Sequence, residues 1–380
     1  MKKIFYISLT LLILVLIFLG AYNFAFKNNA NSPLAATGEK QPVKDEKLTP
    51  PLAQPRRIEN LINEETLGVV AGVDDSLYYY SLDDRAFKKS TREGKNKTIL
   101  LSNLPGTPSR ILWSQRRGRV LMLLKQSNGQ SLWHYADLTT KTLTPLKPEI
   151  SRLAWNNLGD KILYQYTDKK TGVRSLDMAD PDGNNWKKLA DLSTQEIFIA
   201  AVPQNSFVSF WSRPNALEKT IFETVGITGD NRQTLLTERF GADYLWSPDG
   251  SHVLVNTTDQ TRKNLVSLNL MNSNGGEYQS LSIPTFVSKI VWTKDSKSFY
   301  YALPTGLPEN AVLPNDYFDK PLYSTDTFWK MDIANGKQTR LVATNEITQN
   351  FDSTDLFLSP SEDTLFFTDR KTRRLYQISL

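Results

Sequence analysis

Two histidines, His134 and His252, are the whole imidazole complement of this 380-residue chain, and it contains no cysteine. Thiolate nucleophiles, disulfides and Cys-ligated zinc are thereby excluded, and a Ser-His-Asp triad or a His-rich metal centre has little to build on. His134 alternates with Trp133 and Tyr135 in SLWHYAD, as an ordinary strand residue does, and His252 follows a turn in WSPDGSHVLV. The segment ADPDGNN (179–185) comes near the calcium-loop pattern D-x-[DN]-x-[DN]-G, but Met178 occupies the first aspartate position and the later glutamate is missing. A polar hairpin turn accounts for it better. No catalytic, cofactor-binding or metal-ligating set emerges, so the chain is read as a non-enzyme that needs no cofactor. A site built from dispersed Asp, Glu, Tyr and Arg remains the alternative.

What would position such residues is a repeat. RILWSQRRGRVLML, RLAWNNLGDKILYQY, IAAVPQNSFVSFW, WSPDGSHVLV, KIVWTKDSKSFYYA and LFLSPSEDTLFFTD share one pattern, and GVVAGVDDSLYYYS is a degraded first copy. Equivalent positions are Val70, Trp113, Trp155, Ala201, Trp246, Trp292 and Leu358, with gaps of 43, 42, 46, 45, 46 and 66 residues. Each copy continues into a third strand, a polar turn and a fourth strand, as in SLWHYADLTTKTLTPL. A period near 45 with two-residue alternation and Gly/Asn/Asp turns is that of a four-stranded propeller blade. One blade cannot cover both its faces, and radial packing of several does so. The fold expected is all-β, a seven-bladed propeller, with six or eight blades as alternatives. The repeated tryptophans are read as core between blades.

The last copy ends at Leu380 without a fourth strand, whereas RRIENLINEET (56–66) resembles the fourth-strand segments KQTRLVATNEI and KKLADLSTQEI. Residues 56–62 are therefore expected to complete the last blade and close the ring. The unit W-S-P-D-G-x-x-h-x-h, met in full by Trp246, Ser247, Pro248, Asp249 and Gly250, resembles the WD40-like (PD40) repeats of TolB-type propellers. Asp180, Asp182, Gly183 and Leu189 are similar to that unit's later turn and strand. The resemblance spans about 56–380. It implies fold more than activity, since such propellers serve as periplasmic protein-binding modules and as gates of peptidases. No Gly-x-Ser-x-Gly nucleophile motif accompanies it.

The gap of 66 marks an insertion, LPTGLPENAVLPNDYFDKPLYSTD (303–326), between the second and third strands of copy six. That loop belongs on the face where consecutive blades connect. Tyr317, Phe318 and Tyr323 would supply apolar anchors there, and Asp316 and Asp319 polar specificity. The equivalent loop of copy four adds Trp211 and Arg213. A loop that merely covers its own blade is the competing reading.

Lys2 and Lys3 precede an uncharged apolar run, residues 5–26, long enough to cross a bilayer as a helix. It is read as a transmembrane signal-anchor within 1–27, N-terminus cytoplasmic, followed by a Pro/Lys/Glu-containing tether (28–55) and an extracytoplasmic propeller (56–380). A cleaved signal peptide would share these features. The 45 basic and 40 acidic residues leave a dispersed excess of +5, with no pattern for nucleic acid. The function expected is a membrane-tethered scaffold binding a protein, a peptide or an envelope component. An envelope enzyme acting on glycan or peptide at the channel mouth is the alternative, and a structural module of a membrane assembly the third. Oligomeric state is not legible.

Overall fold

The computed structural model describes residues 58–380. The expected anchor, the tether and residues 56–57 lie outside the described residues. Among the described residues no helix is long and apolar enough to cross a membrane. Twenty-eight strands form seven four-stranded antiparallel sheets, so the chain is an all-β, seven-bladed propeller. Blades are numbered 1–7 along the chain, each running from its innermost to its outermost strand.

The stretch WSPDGSHVLV shows how sequence makes a blade. Trp246 ends the innermost strand of blade 5 (Asp243–Trp246), and His252–Thr258 is the second strand. In the turn between them, Asp249 Oδ1 accepts the Ser251 N–H at 3.0 Å and the Ser247 hydroxyl at 2.6 Å. Gly250 has φ +71°, and a Cβ there would sit 2.4 Å from the Pro203 carbonyl of blade 4, so no other residue fits. Val253 and Val255 face blade 4, whereas Leu254 faces blade 6. A strand covered on both sides is apolar throughout, which blurs its alternation.

The repeated tryptophans cross from blade to blade. Trp113 Nε1 donates to the Gly68 carbonyl of blade 1 at 2.6 Å, and Trp155 Nε1 to the Leu112 carbonyl of blade 2 at 2.9 Å. Trp246 Nε1 reaches Ser209 Oγ of blade 4, also at 2.9 Å. Trp292 is equally buried, yet its Nε1 has no partner among the described residues. In four of the seven blades a tryptophan thus solves the same packing problem, and three of the four also satisfy an acceptor or hydroxyl next door.

Blade 7 has three strands from the C-terminus (Ser353–Leu358, Thr364–Asp369, Leu375–Ser379) and one from the N-terminal side, Ile58–Ile62. Ile58 pairs with Ile378, Glu59 with Gln377 and Asn60 with Tyr376. Just beyond this strand, Glu64 accepts from Tyr79 OH at 2.8 Å and pairs with Lys88 at 2.6 Å and Lys97 at 2.8 Å. Burial opposes ionisation of Glu64, but Lys88, Lys97 and the hydroxyls prevail and bring its pKa down to about 2. The closing strand is thereby tied to blade 1 as well as blade 7.

Candidate functional site

Three residues before the repeat position stand Arg110, Arg152, Asp243, Lys289 and Asp355. Charge thus recurs at one point of the innermost strand in blades 2, 3, 5 and 7, and in blade 6 in the turn of helix just before that strand (Ile290–Trp292). Irregular register marks that point in the innermost strands of blades 2, 3 and 7, between Pro108 and Arg110, Ile150 and Arg152, and Thr354 and Phe357. Such bulges re-aim side chains, here toward the central channel. Arg110, Arg152 and Asp243 line a cavity of about 510 Å³ at one mouth of the channel. Arg110 and Asp355 also line the adjoining channel space, about 640 Å³.

Low-dielectric walls shape the charges in this mouth. Burial pushes the Asp243 carboxyl up to about 6, against the Tyr244 N–H and the Trp211 Nε1–H that it accepts at 3.0 and 2.9 Å and the nearby Arg110. Asp355 is raised by burial too, with Arg110 opposing. Arg152 is brought down to about 10 by burial and by repulsion from Arg110 and Arg213. Its guanidinium pairs with Glu196 and covers the Phe198 ring at 5.1 Å. Burial likewise lowers Arg110, which has no ion-pair partner among the described residues and feels Asp355 and Asp243 only at longer range. Three guanidiniums thus gather at this mouth, and of them Arg152 and Arg213 meet Glu196 and Asp319 while Arg110 has no carboxylate at pairing distance among the described residues.

The insertion of blade 6 overhangs this mouth. Between its second and third strands (Ser298–Thr305 and Thr325–Asp332) lies a five-residue helix, Asn315–Asp319. The loop crosses blade 5, where Leu313 exchanges hydrogen bonds with Lys263 and Thr258 at 2.8 and 2.7 Å. On blade 4, Asn315 takes the Ala216 N–H at 2.8 Å and donates to Asn215 at 2.9 Å, while Arg213 pairs with Asp319 at 2.6 Å. From blade 7, Arg370 donates to the Tyr317 and Leu322 carbonyls.

The seven residues singled out from sequence separate into two groups. Trp211, Arg213, Phe318 and Asp319 come together and line the same cavity, although two belong to blade 4 and two to blade 6. Phe318 is 41 % exposed and Trp211 is 5 % exposed, its indole pinned to Asp243. Tyr317, Asp316 and Tyr323 are not in that lining. Tyr317 is 2 % exposed, stacks on Phe286 at 4.7 Å and donates to Asp352 at 2.5 Å, so its ring anchors the loop to the propeller instead of facing a partner. Asp316 accepts the Val312 N–H and pairs with Lys320, within its own loop. Tyr323 is 43 % exposed beside Arg370.

Beneath Tyr317 lies a buried charge cluster that the sequence reading missed. Lys289 Nζ donates to Asp326, Asp352 and the Ser353 carbonyl, each at 2.7 Å, with all three ionic side chains at most 1 % exposed. Burial works against the charge, but Asp326, Tyr317 and Asp352 outweigh it and hold Lys289 above the ordinary lysine range. The signal was present in the sequence: Lys289 occupies the same repeat position as Arg110 and Arg152.

Of the two histidines, His134 is buried with Nδ1 against the Leu132 carbonyl, and His252 lies beside Ser251. Among the described residues no three His, Asp or Glu side chains converge as a metal-ligand set. No family model and no curated protein matches the chain. Solved structures do. An oligogalacturonate lyase in complex with manganese superposes with TM-score 0.60 at 14 % identity, covering 86 % of this chain and 91 % of that one. The Cps50 propeller domain of Myceliophteria thermophila gives TM-score 0.55 at 8 % identity over 85 % and 99 %. A protein given as TolB from Agrobacterium tumefaciens reaches 0.42 at 15 % identity over 59 % and 86 %, too little overlap to carry an argument. At these identities the likeness is one of fold alone: the chain is a seven-bladed propeller.

Proposed function

We propose that this chain is a membrane-tethered, extracytoplasmic scaffold that binds a protein, peptide or envelope component at the channel mouth, without turning it over. The observation that carries the reading is the mouth itself: a concave site joining an unpaired Arg110 to an exposed Phe318 held in place by a cross-blade loop. Its volume suits a short segment of a partner, its Arg cluster an anionic group, and its aromatic rim an apolar anchor. Tethering and export rest on the apolar run 5–26 behind Lys2 and Lys3. Capture of membrane components by the full-length protein in detergent tests the reading against Arg110→Ala and Phe318→Ala. Each is expected to weaken capture of a saturable partner by about 10-fold or more with folding intact. Equal capture by both folded variants sinks it.

One observation favours a second reading. Asp243, pushed by burial up to about 6, has the shifted carboxyl that a general base at a channel mouth would need. An enzyme acting on an anionic glycan or peptide would lose turnover in Asp243→Asn, whereas a scaffold would retain capture. Retained capture with no turnover of either substrate class by the native chain decides for the scaffold.

A further inference from the structure

A second cavity, about 400 Å³, opens on the flank of the propeller, remote in sequence from the mouth's insertion. Tyr164 packs with Trp133 and Leu146, which places the cavity on the side of blade 3 that faces blade 2. Asp177 sits across from Tyr164 in the strand ladder, in the third strand Arg174–Ala179. Only 2 % exposed, it lines this cavity, and its Oδ1 makes no hydrogen bond among the described residues. A buried carboxylate oxygen without a donor is costly, and native folds seldom keep one without a reason. Two of the chain's exposed apolar side chains, Trp186 at 59 % and Val173 at 56 %, stand at the rim of the same cavity.

The other charges at the rim are mostly committed. Asp191 holds Lys188 at 2.9 Å, and Asp168 accepts the backbone N–H groups of Lys170 and Thr171 at 2.9 and 2.8 Å. With Lys147 counted, the lining carries three carboxylates and two ammoniums, a net −1. What is missing is a cation with an apolar stem. We propose that this flank cavity binds an alkylammonium group, its charge met by Asp177 and its stem and ammonium covered by Trp186, Tyr166 and Val173. Aromatic faces beside a carboxylate are the usual surroundings of a bound ammonium. Burial raises the Asp177 pKa, and the Ser175 hydroxyl with the more distant charges of Lys188 and Lys147 offsets this only in part.

The full-length protein in detergent is titrated calorimetrically with n-butylammonium, with spermidine and with a blocked tripeptide containing one lysine. n-Butanol and maltose are the neutral controls. Saturable binding of the ammonium probes is expected, weakened about 10-fold by Asp177→Asn, the loss of one charge-assisted contact. Trp186→Ala, at an exposed position that does not disturb folding, should weaken it as well and carries the test if Asp177→Asn fails to fold. Tighter binding of the tripeptide would point to a lysine of a partner protein, tighter binding of spermidine to a small amine. No saturable binding of any ammonium probe, undiminished binding by both variants, or equal binding of a neutral control would overturn the assignment.

Discussion

Replacing Lys289 by Met probes the cluster that holds the insertion over the mouth. The methylene stem is kept and the ammonium is lost, which leaves Asp326 and Asp352 buried without their shared cation and the Ser353 carbonyl without a donor. Arg370, 3.3 Å from Asp352, offsets part of the deficit. Removing one partner of a buried ionic group costs about 3–5 kcal/mol, because the remaining charges stay desolvated. With a urea m-value of ~3 kcal/mol/M for a domain this large, the midpoint should fall by roughly 1–1.7 M at constant m. Replacing all three ions together (Lys289→Met, Asp326→Asn, Asp352→Asn) should recover most of that loss, since no carboxylate is stranded and Arg370, which loses Asp352, keeps access to water. The sign with pH follows from Lys289 being raised on folding: its contribution is complete below the ordinary lysine pKa and is lost only as pH climbs through the higher folded value. The gap between native and variant should therefore be flat from neutrality to about pH 10. A loss below ~1 kcal/mol, or a triple variant no better than the single one, would refute this account of the cluster.

Asp243→Asn should stabilise the propeller at pH 8 by up to ~3 kcal/mol and not at all below pH 4. The native carboxyl must ionise in a buried site with its pKa near 6, and urea melts across that pH range read the difference. Trp246→Phe should cost about 1–2 kcal/mol more than Trp292→Phe in thermal melts, because only Trp246 surrenders a hydrogen bond, to Ser209. Equal costs would mean that the indole N–H does not join the blades. Deleting residues 58–62 should expose the edge of Leu375–Ser379 and abolish a single cooperative transition, whereas deleting 30–50 should leave the melt unchanged. Two identical melts would count against ring closure as the source of cooperativity.

Blade number and strand order were legible because every copy faces the same packing problem, and four of the seven answer it with a tryptophan before a polar turn, the other three with Val70, Ala201 and Leu358. The insertion was legible as a break in that period. Its contacts were not, since Arg213–Asp319 and Asn215–Asn315 join residues about a hundred positions apart through a loop that passes over blade 5. Tyr317 and Phe318 are neighbours of similar composition, and only the helical turn decides that one ring points into Phe286 and the other toward the mouth. The charges of Arg110, Arg152, Asp243, Lys289 and Asp355 lay in the repeat alignment, masked because their signs are mixed and blades 1 and 4 have Leu67 and Phe198 there instead.

A photo-crosslinking residue at position 318, compared with one at Val73 in living cells, tests the central claim most directly. Val73 is 94 % exposed in the turn after the innermost strand of blade 1, on the opposite face from the insertion. The account predicts a discrete adduct from 318 that disappears when Arg110→Ala is added, and none of that adduct from 73. The same adducts from both positions, or an adduct at 318 indifferent to Arg110, would contradict it.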